Sequence, residues 1–336
     1  MSVGRATDDG RNTPAVVFLG RVVRIIVVAG LLWYATRGVR WERIELVLAQ
    51  SSWRWLAAAF GLVIVDRAVM AWRWVLLLRA VAAAGAAVSL AATLRVFFVS
   101  SFAGAFLPGS IGGDALRTLG IARHGVSTAN AVASVAVDRL LGTVSVILMG
   151  VLGLWLVGRQ VDPRLMIVAA GAACAASVLT YGLLFDSRFF AWLLAKGGLA
   201  RLPTAHRLVH KFLAAVGQYG RHHTILGGVL TLSCAVQVLR TMQTWCLGLA
   251  LGLTISGYWY FATVPVIVIV VLLPISIGGL GTANAAFVAL FGLAGVPKDA
   301  AFTLSVLFLA LSVFGNLPGG LLMAAGPARF ADQPHR

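Results

Sequence analysis

Acidic residues are scarce. Asp and Glu number 11 against 27 Lys plus Arg, and charged residues of either sign make up only 11% of the 336-residue chain. So little charge, beside 60% hydrophobic residues and a mean hydropathy of +0.93, excludes an ordinary soluble fold. Long polar stretches are missing too. The longest, Asp186 to His223, is too short for a nucleotide-binding fold, and no glycine loop ends in Gly-Lys-Ser/Thr, which argues against ATP-driven transport by this chain alone. Cysteine is limited to Cys174, Cys234 and Cys246, each in an apolar run without paired spacing. Neither a disulfide framework nor a zinc site is implied, and no cofactor is expected.

What remains is an all-helical, polytopic membrane protein. A spanning helix takes about 20 apolar residues, so there is room for roughly six to eight embedded segments. The net charge of +16 would suggest a nucleic-acid surface in a soluble protein. Here it fits basic loops on the cytoplasmic side and contact with anionic lipid headgroups, and no nucleic-acid partner is expected.

Six full spans are predicted: Ala15 to Ala35, Trp53 to Leu78, Ala131 to Val157, Arg164 to Leu184, Thr224 to Leu253 and Ala300 to Ala325. The first carries Arg21 and Arg24 and lacks a small-residue cleavage site, so it reads as an uncleaved anchor and not a signal peptide. In the second, Trp53, Trp55, Trp72 and Trp74 are placed as interfacial aromatics, and Asp66 and Arg67 are costly unless they face protein. With two broken segments returning to their side of entry, residues 1–14 and 326–336 form cytoplasmic tails around one membrane domain, 15–325. The basic loop Asp186 to His223 agrees with this topology, while Arg37, Arg40 and Arg43 count against it.

The breaks form an internal repeat. Leu107-Pro108-Gly109-Ser110-Ile111-Gly112-Gly113 recurs as Leu273-Pro274-Ile275-Ser276-Ile277-Gly278-Gly279, with six of seven positions identical in a chain of only 10 prolines. Each copy ends an apolar helix, Leu90 to Phe106 and Tyr258 to Leu272, and a new helix follows. Gly125-Val126-Ser127 and Gly295-Val296-Pro297 mark matching turns downstream. Three full spans between the copies imply that they enter from opposite faces, as two inverted re-entrant motifs. Paired breaks of this kind point to a transporter's substrate site, and unwound backbone at that depth must be buried in protein or line a wet cavity. Two kinked helices that bind nothing are the competing reading.

A helix restarting inside the membrane presents free N–H groups that suit a phosphate or carboxylate, and a phospholipid headgroup is the natural candidate. Asp114 is placed to cap the first new helix with Arg117 on the same face, either as a local ion pair or with Arg117 on the phosphate. Asp138, Arg139, Arg240 and Asn316 interrupt later spans; an Asp138 to Arg240 pair is one expectation, and Arg95 is expected to snorkel. The candidate substrate-binding set is Pro108, Gly109, Ser110, Gly112, Gly113, Asp114, Arg117, Asp138, Arg139, Arg240, Pro274, Ser276, Gly278, Gly279, Gly281 and Asn284. His206 and His210, four apart, lack an acid or cysteine beside them, so no metal site is expected. No catalytic residue is identified, since Ser110 and Ser276 have no histidine partner in their segments.

At Leu107-Pro108-Gly109 through Gly112-Gly113-Asp114 with Arg117, Asp138-Arg139-Leu140, and Pro274-Ile275-Ser276-Ile277-Gly278-Gly279-Leu280-Gly281, the chain resembles the transmembrane region of lysylphosphatidylglycerol synthase. The resemblance runs from about Trp72-Arg73-Trp74 to Pro318-Gly319-Gly320. It implies a flippase-like membrane region that, in bifunctional members, accompanies a cytosolic synthase domain. The chain stops at Arg336, so the synthase activity is not carried over. Where the family follows its second glycine motif with a basic residue and a Glu, this sequence has Thr282-Ala283-Asn284, which implies a different headgroup or lost translocation. The expectation is a multi-pass plasma-membrane protein, not an enzyme, acting as a lipid translocase or binder of an anionic phospholipid headgroup. The alternative is a partner that presents lipid to a separately encoded glycosyl- or aminoacyl-transferase.

Overall fold

The computed structural model describes residues 33, 51–81, 89–105, 111–157, 203–272 and 279–325. The expected spans Ala15 to Ala35 (Trp33 aside) and Arg164 to Leu184, both tails, and Pro108, Gly109, Ser110, Pro274, Ser276 and Gly278 lie outside the described residues. Those residues form helices and connecting turns: α1 (Trp53–Val81), α2 (Leu90–Ala105), α3 (Ile111–Ala122), α4 (Thr128–Val157), α5 (Pro203–Gln218), α6 (His223–Ala250), α7 (Gly257–Leu272), α8 (Thr282–Leu293) and α9 (Lys298–Ala324), with a 3₁₀ turn at Tyr219–Arg221. Helices α1, α4, α6 and α9 are long and apolar enough to cross a membrane, and they coincide with four of the six predicted spans.

Helix lengths repeat. The run α1 to α4 has 29, 16, 12 and 30 residues; the run α6 to α9 has 28, 16, 12 and 27. At 1.5 Å per residue the 16- and 12-residue pieces reach only about 24 and 18 Å, short of a bilayer core of about 30 Å. The predicted turns are present: Gly125 and Gly295 take φ of 90° and 77°, a region that favours glycine, before α4 and α9 start.

Packing follows the same repeat. α2 folds back on α3, and α7 lies against α8; α4 lies on α7 as α9 lies on α2; α3 touches α4 as α8 touches α9; and α1 pairs with α6. This last pair is antiparallel, because Ser52 N–H reaches the Ala250 carbonyl at 3.0 Å while, farther along, Arg73 Nη1 reaches Ser233 Oγ at 2.9 Å. α5 has no counterpart among the described residues; its Leu213, Ala215 and Val216, with Tyr219, are buried in a cluster with Leu77 of α1 and Val137 and Leu141 of α4.

In lipid, apolar area alone does not hold helices together; close van der Waals contact and buried polar pairs do. Glycine supplies the first. In the α2–α3 hairpin a Cβ added at Gly104 would lie 2.8 Å from the Gly113 Cα, so only glycines permit this approach. Trp74 corrects the expectation of an interfacial ring: it is fully buried and donates from Nε1 to Ser134 Oγ at 3.2 Å. Trp53, Trp55 and Trp72 are exposed as expected.

Candidate functional site

α1 is the spine of the polar interior. Helical periodicity puts Asp66, Met70 and Arg73 on one face over two turns. Arg73 is 4% exposed, and its guanidinium is firmly held: Nε donates to Asp138 Oδ1 of α4 at 2.7 Å and Nη1 to Ser233 Oγ of α6 at 2.9 Å. Asp138 is shared, since its Oδ2 lies 3.6 Å from Arg117 Nη1 of α3. Arg117 is held loosely by comparison. Its Nη2 is 3.5 Å from Ser101 Oγ, its buried Nε has no hydrogen-bond partner, and its Cζ lies 4.6 and 5.2 Å from the ring centres of Phe97 and Trp74. Two aromatic faces stabilise a desolvated guanidinium without occupying its N–H groups.

The remaining first-repeat charges correct the expected pairings. Asp114 does not pair with Arg117; it accepts a bidentate fork from Arg139 at 2.8 and 2.9 Å. Asp138 does not pair with Arg240, whose Nε lies 3.6 Å from Asp66 Oδ1. Side-chain reach decides both cases, because α3 packs against α4 and carries Asp114 onto Arg139. Arg95 donates to the Leu322 carbonyl at 3.0 Å, across the α2–α9 contact. The D114N variant leaves the Arg139 fork without its carboxylate, and the fork is part-exposed, so melting should shift by about 1 kcal/mol. The exchanged double variant D114R/R139D should melt closer to wild type than either single variant does.

The second hairpin is neutral. Asn284 Oδ1 accepts from Gly281 N–H at 3.0 Å, and its Nδ2 donates to Ser305 Oγ at 2.7 Å. The N–H groups of Ala283 and Ala285 bond to the Gly279 and Gly281 carbonyls. These donors of the restarted helix are thus engaged within the chain. Gly279 and Gly281 have φ of 83° and 79° and shape the turn. Beside it, Tyr260, Phe287 and Phe291 pack as a buried aromatic group.

The structure therefore brings Asp114, Arg117, Asp138 and Arg139 together with Arg73, and places Arg240 in a separate group with Asp66 and Arg67. Gly113 serves the close approach of α2 and α3, and Gly112 is half-buried at the start of α3. Arg73 and Arg67 are functional candidates that sequence reasoning missed; their spacing from Asp66 on one helix is the signal that could have found them. Arg67, Arg73, Arg117, Arg139 and Arg240 face Asp66, Asp114 and Asp138, five cations to three anions. Among the described residues no cluster of three His, Cys, Asp or Glu could hold a metal.

These features define a multi-pass helical membrane protein with a cationic interior. The chain belongs to the family of the lysylphosphatidylglycerol synthase TM region, which matches residues 21–319. No curated protein matches the sequence.

Proposed function

We propose that the protein is a lipid translocase that passes an anionic phospholipid headgroup through its interior without hydrolysing ATP. One observation carries this reading: among the described residues the interior ion groups hold five arginines against three aspartates, two more cations than anions. Uncompensated cations are expensive at membrane depth, and a phosphate supplies the missing charge. The antiparallel pairing of α1 with α6 supports inverted repeats whose short helix pairs dip into the bilayer from opposite faces. Arg117, with loose bonds and aromatic flanks, is the group that meets the phosphate. Arg73 and Arg139, each already bonded to a carboxylate at 2.7 to 2.9 Å, hold the frame. The basic loop Asp186 to His223 supports cytoplasmic termini.

The test is leaflet exchange of fluorescent phosphatidylglycerol in vesicles containing the purified chain, read by quenching of the outer leaflet. Wild type should exchange lipid without nucleotide, and R117A should slow it about tenfold, the loss of one charge-assisted contact. No exchange by folded wild type overturns the translocase; retained lipid binding in that case favours a partner that presents lipid to a transferase.

A further inference from the structure

A second ionisable group lies between α1, α6 and α9. Asp66 is 1% exposed, with Oδ2 4.0 Å from Arg67 Nε and Oδ1 3.6 Å from Arg240 Nε. These are ion-pair distances too long for hydrogen bonds. Asp66 Oδ1 and Arg67 Nε are buried without any hydrogen-bond partner. The two guanidiniums converge instead on one atom, Met70 Sδ, which lies 3.6 Å from Arg67 Nη1 and 3.3 Å from Arg240 Nη2. A thioether is a weak acceptor and a poor terminus for two cations. Arg67 Nη2 adds only long contacts to Ser312, at 3.4 Å to Oγ and 3.5 Å to the carbonyl. One turn past Ser312 on the same face of α9, buried Asn316 has an unpartnered Oδ1.

The contrast with Arg73 and Arg139 is chemical. Those two meet carboxylate oxygens at 2.7 to 2.9 Å. Arg67 and Arg240 meet one distant carboxylate and a sulfur, and their side chains keep 14% and 23% exposure, so a ligand can reach them. Two like charges held together with few acceptors destabilise the empty site, and an oxyanion between them removes that cost.

We propose that Arg67 and Arg240 form a clamp for a phosphate-type oxyanion, whose oxygens take the position between the guanidiniums that Met70 Sδ now holds, with Asp66 keeping both cations oriented. Asp66 and Arg73 are seven residues apart on α1, so the clamp sits about 10 Å along the helix from the Arg73–Asp138 pair. This deepens, and as a lipid station rests on, the headgroup reading. A phospholipid phosphodiester and inorganic phosphate share the required chemistry, and the measurement separates them.

The experiment is ligand-dependent melting of the full chain in detergent, titrated with dihexanoyl-phosphatidylglycerol and, separately, inorganic phosphate. The expected result is a saturable rise for wild type with the lipid, weakened about tenfold in R67Q and in R240Q. A rise with phosphate as well supports the clamp as a general oxyanion site. A rise with phosphate alone keeps the clamp and removes the lipid from it. Because losing an arginine beside Asp66 can unfold the protein, M70E supplies the decisive arm: its carboxylate occupies the clamp from within, so the unliganded protein should melt higher and lose the ligand shift. The proposal is overturned if wild type responds to neither probe, if M70E melts lower or still binds like wild type, or if R67Q and R240Q bind like wild type. Leaflet exchange keeps the two readings distinguishable. Ligand shifts without exchange remove the translocase alone, and exchange with shifts indifferent to these substitutions removes the clamp alone.

Discussion

Asp138→Asn should be the most damaging isosteric change in the protein, lowering stability by about 3–5 kcal/mol. The side chain keeps its shape, so packing does not explain the loss; charge does. Asp138 is the shared counter-ion of Arg73 and Arg117, and side-chain exposure at all three is 6% or less. Without the carboxylate, two guanidiniums remain buried with Ser233 and Ser101 as their hydroxyl acceptors. The double variant D138N/R117Q restores the original net charge of the group and should recover part of the loss, whereas R117Q alone, which leaves the Arg73–Asp138 pair intact, should be tolerated best. Thermal melting in one detergent across the three variants checks the order. Melting of D138N within a degree or two of wild type would mean that solvent or lipid already neutralises these arginines, and the buried-cation argument would fail with it.

That order of effects was not legible in the sequence, although much of the architecture was. Hydropathy locates α1, α4, α6 and α9, because a run of about 20 apolar residues has few other uses. The repeated Leu-Pro-x-Ser-Ile-Gly-Gly string anticipates that the apolar stretches on its two sides are separate helices, α2 from α3 and α7 from α8, because proline and paired glycine interrupt the helical ladder. Pairing is different. Asp114 and Arg117 share a helix face, yet Asp114 is bound to Arg139 and Arg117 faces Asp138. Spacing on one helix states which side chains point the same way; it carries no information about which neighbouring helix arrives there. For the same reason Trp74 reads as interfacial beside Trp72, although the tertiary fold buries one ring and exposes the other. Asn284 is legible as an oddity of the second motif. Its double engagement by Gly281 and Ser305 depends on α9 and was not.

The matched packing of α4 on α7 and of α9 on α2 makes a last prediction, in which the sign of a Gly→Ala change depends on the side of the helix that carries it. Pro265 lies inside α7 and has no N–H to offer the Phe261 carbonyl four residues earlier. That carbonyl lies against Gly153 of α4, where an added Cβ would collide with it and would come within 2.7 Å of the Ala262 Cα. At the matching contact of the other half, a Cβ on Gly319 of α9 would collide with the Phe98 carbonyl of α2 and approach Phe102 Cβ to 2.8 Å. In both places the obstacle is backbone, which cannot rotate away, so the helices must separate by about an ångström and lose their close packing. G153A and G319A should each destabilise by about 1–3 kcal/mol. Gly61 of α1 and Gly227 and Gly228 of α6 have nothing within 4 Å of an added Cβ, and there alanine should stabilise by up to about 1 kcal/mol through helix propensity. Melting of these five variants tests the pairing of each long helix with a short helix of the other half: equal behaviour of Gly153 and Gly228 would contradict it. On the proposed translocase reading, in which the two runs move against each other, G153A and G319A should also slow leaflet exchange, while G228A should leave it at the wild-type rate.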